Sequence, residues 1–215
     1  GNVDAYLLDG EFASAKGIAD FDVPPRSVYD MVVATSDPED PRMFLIDNNL
    51  EAAQVLGNLD ETGQTSIVHL KYKAVPLIAT GRDFCNICHW RVERDGTIIM
   101  LACATVSEKC PPCTSHIRAE ARIGGWVIVP LDGGKRCRVH YGVQLDLKGS
   151  LPAFIVKRVT SQAPEKIAKL RDLIEEEASR LGRAAFFKRL ERLGPLHNFG
   201  GSGPYNSNQA SNTVS

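Results

Sequence analysis

The chain has 215 residues, 25 basic and 26 acidic, and a net charge of −1 at neutral pH, so no overall field recommends nucleic acid or an anionic membrane as its main partner. Hydrophobic residues make up 43%, yet no apolar run approaches the roughly 20 residues that a membrane-spanning helix requires, and one self-sufficient core is expected. Six cysteines, at 85, 88, 103, 110, 113 and 137, are expected as reduced thiols, because a chain of this size needs no disulfide staples. The start on Gly1, without methionine or a basic-then-apolar leader, is expected of a segment excised from something longer or of a cloning scar.

In chain order, an extended start (Asn2 to Leu8) and a strand (Glu11 to Val23) precede Pro24-Pro25. Proline is tolerated in a helix's first turn, so a helix follows through Tyr29, Val32 and Val33. The polar break "SDPEDP" ends it. Strands are then predicted at Leu50–Leu59, Thr65–Lys73, Arg82–Glu93, Thr97–Ser107, Ile117–Arg122, Trp126–Leu131 and Cys137–Leu147, punctuated by turn-formers such as Asp95-Gly96 and Gly133-Gly134. The period becomes helical at Leu151, Ile155, Val159, Ala163, Ile167, Leu170, Ile174, Ala178 and Leu181. Pro164 inside this stripe predicts a kink, with a break at Ser161 as the alternative. "RAAFFKRLERL" extends the helical pattern, as a frayed end or as a membrane-surface segment. Residues 195–215 are too polar to offset their ordering entropy and should be disordered.

The stretch "RDFCNICHW" poses a chemical question, because Cys-x-x-Cys-His suits haem attachment and Cys85/Cys88 with Cys110/Cys113 approach the spacing of four-thiolate zinc sites. Against both, residues three apart on a strand point to opposite faces and cannot chelate one metal without a bulge. The two prolines between Cys110 and Cys113 also stiffen that loop in extended form. Cys103 and Cys137 read as small buried hydrophobes. No G-x-S-x-G elbow, phosphate-cradling glycine loop or H-E-x-x-H helix is present, and the histidines at 69, 89, 116, 140 and 197 have no ligand spacing. Neither an enzyme nor a cofactor is expected; zinc on Cys85, Cys88, Cys110 and Cys113 is the alternative chemistry.

Three stretches, "GRDFCNICHW", "TVSEKCPPCTSHIRAEARIGGWVIVP" and "YGVQLDLKGSLPAFIVKRVTSQAPEKIAKLRDLI", together resemble the START (StAR-related lipid-transfer) domain. The resemblance runs from about Val3 to Leu181. It implies an α+β helix-grip fold, a curved antiparallel sheet enclosing an apolar cavity and closed by the long C-terminal helix. Residues 1–181 would form that lipid-binding domain, 182–194 a basic amphipathic extension and 195–215 a polar tail. The cavity would hold a single lipid (phospholipid, sterol or sphingolipid) for transfer between membranes or for sensing, with a regulatory module of a larger protein as the alternative. A cytoplasmic monomer, peripheral to membranes and touching them transiently, with no nucleic-acid partner, fits that role.

Two departures from the family stand out. Ile46-Asp47 replaces a tryptophan-led dipeptide, a loss expected to affect packing more than chemistry. In sterol-carrying members an acidic residue and an arginine meet in the cavity, the arginine six positions after that of the Arg-Asp-Phe motif; here those positions are Leu70 and Cys88. An unpaired buried charge is costly, so losing both partners together leaves a consistent, more apolar cavity. If Leu70 and Cys88 face the cavity, alternation adds Ser66, Val68, Tyr72, Asn86 and Trp90, and the helix stripe adds Ile155 and Val159. Asn86, Tyr72 and Ser66 are the candidate polar contacts. The family's membrane-facing loop aligns with "KAVPLIATG", which makes Val75, Leu77 and Ile78 candidate membrane contacts. Leu151 joins them from the second entrance loop, Gly149–Pro152.

Overall fold

The computed structural model describes residues 2–8, 12–193 and 196. Among them, strands β1 (Asp4–Leu8) and β2 (Ala13–Phe21) are followed by helices α1 (Pro25–Ala34) and α2 (Arg42–Ile46). Strands β3 (Leu50–Asn58), β4 (Thr65–Tyr72), β5 (Gly81–Val92), β6 (Ile98–Ala104), β7 (His116–Arg118), β8 (Glu120–Leu131) and β9 (Arg136–Asp146) come next. Helices α3 (Ala153–Leu181) and α4 (Arg183–Leu193) close the chain. The strands form one sheet in the order β1-β2-β9-β8-β6-β5-β4-β3, antiparallel throughout except that the short β7 lies parallel to β5.

Local chemistry accounts for most boundaries. Pro24 caps α1 with Pro25 in its first turn, and the carbonyl of Pro24 accepts from Ser27 N at 3.0 Å, using a position where a missing N–H costs nothing. Gly182, at φ 78°, separates α3 from α4 in the left-handed conformation glycine tolerates. The strands expected at Ile117–Arg122 and Trp126–Leu131 are divided differently. β7 stops at Arg118, whereas β8 runs unbroken through Gly124-Gly125. These glycines mark a close approach of backbones rather than a loop: a Cβ on Gly125 would lie 2.0 Å from the carbonyl oxygen of Met100.

α3 is one helix of 29 residues, and the break at Ser161 does not occur. It crosses β2 at Gly17, where the strand carries no side chain: a Cβ there would meet Ile167 Cδ1 at 2.8 Å and Pro164 Cα at 3.1 Å. Beyond that crossing Ile167, Leu170, Ile174 and Ala178 are buried, each large aliphatic stabilising the fold by roughly 1.5–3 kcal/mol. Phe186 and Leu190 of α4 join the same cluster, as does Leu196, so the basic helix is packed onto the core instead of fraying from it. The remainder of 195–215 lies outside the described residues. No helix among the described residues is long and apolar enough to cross a membrane.

The core is not continuous. One cluster joins β2, β5, β6, β8 and β9 to α1, α3 and α4 around Val28, Trp90, Ile128, Val139 and Ile167. A second, smaller one gathers Phe84, Ala119 and Ala121 with Leu70, Tyr72, Leu145 and Leu147. Between them, on the side of the sheet that α3 covers, the packing leaves a void.

Candidate functional site

That void measures about 520 Å³, within the range of pockets that enclose small ligands. Residues of β4, β5, β6, β8 and β9 border it, with the first turns of α3, the α1–α2 region and residues 73–80. Its wall is mostly apolar, including Leu70, Phe84, Met100, Val143, Leu145, Ile155 and Val159.

Leu70, Tyr72, Asn86, Cys88, Trp90, Ile155 and Val159 all border the void, as do Val75 and Leu151. Ser66 and Val68 do not, although both are fully buried on the same face of β4. Strand alternation identifies the face a residue occupies; it carries no information on where along the strand the void ends. Leu77 and Ile78 point outward and are exposed. Leu77 sits at the loop tip with φ 62°, a conformation that costs a non-glycine residue about 1 kcal/mol. Exposed Phe154 at the start of α3 adds a large apolar side chain that the sequence reading missed.

Along β5 the inward side chains are Asn86, Cys88 and Trp90. Asn86 Oδ1 and Trp90 Nε1 are buried and have no hydrogen-bond partner among the described residues. They stand about 13 Å apart along the strand. A buried acceptor and donor left unmade each cost about 1–3 kcal/mol unless something enters to meet them.

A second polar feature corrects the expectation of a wall without charges. Lys166 of α3 and Asp47, just after α2, form an ion pair at 2.8 Å, with Asp47 buried and Lys166 partly so. Lys166 Nζ also donates to Tyr141 Oη at 3.2 Å. Burial opposes the lysine's charge, but Tyr141, Asp47 and Tyr72 hold its pKa well above the ordinary value. Burial pushes Asp47 up, yet Lys166 and the backbone of Asn49 outweigh it and leave the carboxyl below the ordinary value. Burial, then Asp47, raises the Tyr72 phenol. Ile46-Asp47 therefore matters electrostatically and not for packing alone. The signal available in the sequence was Lys166 at seven and eleven residues beyond Val159 and Ile155, on the same side of the helix.

Arg82, in the Arg-Asp-Phe motif, is buried and meets only carbonyls: it donates to Thr80 O, to Leu147 O at 3.1 Å and to Lys148 O at 3.0 Å. It thereby ties the two loops at the cavity mouth to each other. On the opposite side of β5, Asp83 is wholly buried and its Oδ2 accepts from Arg118 Nη2 at 2.8 Å and Nε at 3.1 Å, with His69 Nε2 at 2.8 Å. Arg118 also donates to Cys110 O and Pro111 O at 3.1 and 3.2 Å, fastening the double-proline loop to the sheet.

The cysteines separate by face as strand geometry requires. Cys88 borders the void, whereas Cys85 is buried on the Asp83 side, where burial first and then its contact with the Cys110 thiol push its pKa up to about 11. The four thiols of the zinc alternative are not brought together, and among the described residues no group of three or more metal-ligating side chains is assembled. Cys137 is buried, but Cys103 is exposed, contrary to the reading of both as core residues.

A grip of one long helix across an antiparallel sheet, with an apolar void beneath it, defines a helix-grip ligand-binding domain. A family model described as the START domain matches residues 38–172, and the chain belongs to that family, whose domains bind lipid ligands. Human STARD10 superimposes with a TM-score of 0.68 at 19% identity, covering 94% of this chain and 85% of that one. Human StAR-related lipid transfer protein 5 gives 0.63 at 20%, covering 76% of each chain. At such identities these likenesses establish the fold alone. In sequence, the Arabidopsis thaliana protein ENHANCED DISEASE RESISTANCE 2-like is 35% identical over 101 residues. That match covers 43% of this chain and only 14% of the longer relative.

Proposed function

We propose that the chain binds one lipid in the void beneath α3 and carries it between membranes. The observation that carries this reading is a partly open apolar cavity of about 520 Å³ in which Asn86 Oδ1 and Trp90 Nε1 have no hydrogen-bond partner among the described residues. Apolar burial supplies the affinity, at roughly 25 cal/mol per Å² removed from water less the costs of ordering. The unpartnered groups offer a ligand's polar atoms an acceptor and a donor.

Leu70, Tyr72, Asn86, Cys88, Trp90, Ile155 and Val159 are the proposed lipid contacts. Ser66 and Val68 continue the same buried face of β4 past the end of the void. Val75, Leu77, Ile78 and Leu151, with Phe154, are the proposed transient membrane contacts, since exposed apolar groups cluster on the loops at the cavity mouth. The protein works as a monomeric cytoplasmic carrier without catalysis. Extraction and mass spectrometry of lipid co-purified with the recombinant protein, with transfer between liposomes, test this. One lipid per chain and measurable transfer are expected; no bound lipid and no transfer of phospholipid, sterol or ceramide defeat it.

The second reading, a lipid-binding regulatory module, is favoured by the length of the Arabidopsis relative, of which the match covers a small part. Full-length protein whose partner domain changes activity on lipid loading, without liposome transfer, distinguishes it.

A further inference from the structure

A second cavity, of about 290 Å³, adjoins the first between residues 46–49 and α3. Ile46, Asp47, Asn49, Arg158, Gln162 and Lys166 border both spaces, so only their side chains stand between an apolar chamber and a polar one. The outer chamber adds Asn48, Ser161, Glu165 and Lys169.

The charges in this chamber are unevenly committed. Asp47 and Lys166 neutralise each other at 2.8 Å. That leaves Arg158 and Lys169 against Glu165. Arg158, exposed and on the border of both chambers, makes no ion pair among the described residues. Among the described residues Lys169 Nζ hydrogen-bonds the Ile46 carbonyl at 3.5 Å, a long contact with a neutral acceptor, and acts on Asp47 through its charge alone. An anionic oxygen entering the chamber would replace that contact with a shorter, charge-assisted bond of about twice the strength. Arg158 presents the planar fork that fits phosphate oxygens in pairs, and the Gln162 amide and Ser161 hydroxyl lie on the same stretch of helix. Arg158, Ser161, Glu165 and Lys169 follow helical spacing, so they share one side of α3.

We infer that the outer chamber is a phosphate site for the headgroup of the bound lipid, so that the ligand is a glycerophospholipid with its chains beneath α3 and its phosphate at Arg158 and Lys169. This rests on the lipid-carrier reading and narrows it: the polar end lies at the side of the cavity, next to the Asp47–Lys166 pair, and a neutral sterol or ceramide leaves the chamber unused.

The test compares two probes with the same fluorescent acyl chains, a phosphatidic acid and the matching diacylglycerol, titrated onto the purified chain. The phosphate-bearing probe is expected to bind about ten-fold tighter or more. In an Arg158→Gln/Lys169→Gln variant the affinity ratio should fall towards one, while Arg158→Lys, which keeps the charge, should retain most of it. Thermal unfolding confirms that the variants fold. Equal affinity of the wild type for the two probes, or an unchanged ratio in the double variant, overturns the phosphate site and leaves the carrier reading standing; failure of both probes to bind overturns both. Competition by inorganic phosphate against phosphatidic acid in a protein without preference between the probes would identify a free-anion site and also overturn it. If the double variant loses sedimentation with phosphatidic-acid vesicles but keeps the probe ratio, the two cations serve the membrane surface, and the inference fails.

Discussion

The two faces of β5 were built from the same twelve residues and solve opposite problems. On the outer face, Asp83 Oδ2 is met by Arg118 and His69, and the arginine goes on to hold the double-proline loop, although Asp83 Oδ1 has no partner among the described residues. On the inner face, Asn86 and Trp90 are as deeply buried but keep a polar atom unmet. The outer face ties its charge into the protein's own network, whereas the inner face turns its unmet acceptor and donor towards a void that a ligand can enter.

The sharpest way to break this contrast is to open the outer network. Arg118→Met leaves the Asp83 carboxylate buried beside a single histidine and should cost about 3–5 kcal/mol in urea unfolding. Burial raises the Asp83 pKa, but hydrogen bonds from Arg118 and then His69 outweigh it and hold the carboxyl below its ordinary value. The stability it contributes is therefore present above the usual carboxylate pKa of about 4 and is lost as pH falls towards the lowered value. Unfolding measured between neutral and acid pH should show that loss in the wild type and a shallower one in Arg118→Met.

Next in size is the inner ion pair. Asp47→Asn strands the Lys166 ammonium with Tyr141 alone and should cost about 2–3 kcal/mol, most of it recovered in Asp47→Asn/Lys166→Met. A larger loss in the double variant than in the single one would mean that the pair is worth more than its burial costs. Smaller, and opposite in sign, is Asn86→Leu: removing an unmet buried acceptor should stabilise the lipid-free protein by about 1 kcal/mol while weakening a ligand that hydrogen-bonds there. Destabilisation in the absence of lipid would show that Asn86 makes contacts the lipid-free fold depends on. Smallest is Cys88→Ser, expected within about 0.5 kcal/mol of wild type and with metal content unchanged by elemental analysis; a metal lost on substitution would restore the thiolate reading.

Most of this contrast was legible in the sequence, because it follows from period two. Alternation along "RDFCNICHW" sends Asn86, Cys88 and Trp90 one way and Asp83 and Cys85 the other, and the stripe from Leu151 to Leu181 requires a long helix to cover one side. The family resemblance supplied the cavity. What period cannot carry is long-range pairing: Asp47 and Lys166 lie far apart in the chain, and nothing local to either marks the other as its partner. The same limit hid the ends of the void, since Ser66 and Val68 are buried on that face of β4 but do not border it. The Gly124-Gly125 pair misled for a related reason, since a glycine demanded by a neighbouring strand looks, within its own segment, like a glycine demanded by a turn.

The seat of α3 on Gly17 carries a mechanical consequence. With Pro164 and Ile167 pressed against a residue that has no side chain, the helix rests on a fulcrum part-way along its length. The arm after it is weighted down by Ile167, Leu170, Ile174 and Ala178, while the arm before it, bearing Leu151 and exposed Phe154 at its tip, spans empty space. Among the described residues the arm ahead of the fulcrum buries Ile155 and Ala163 and turns Val159 to the void, so it is anchored by fewer apolar side chains than the arm after it.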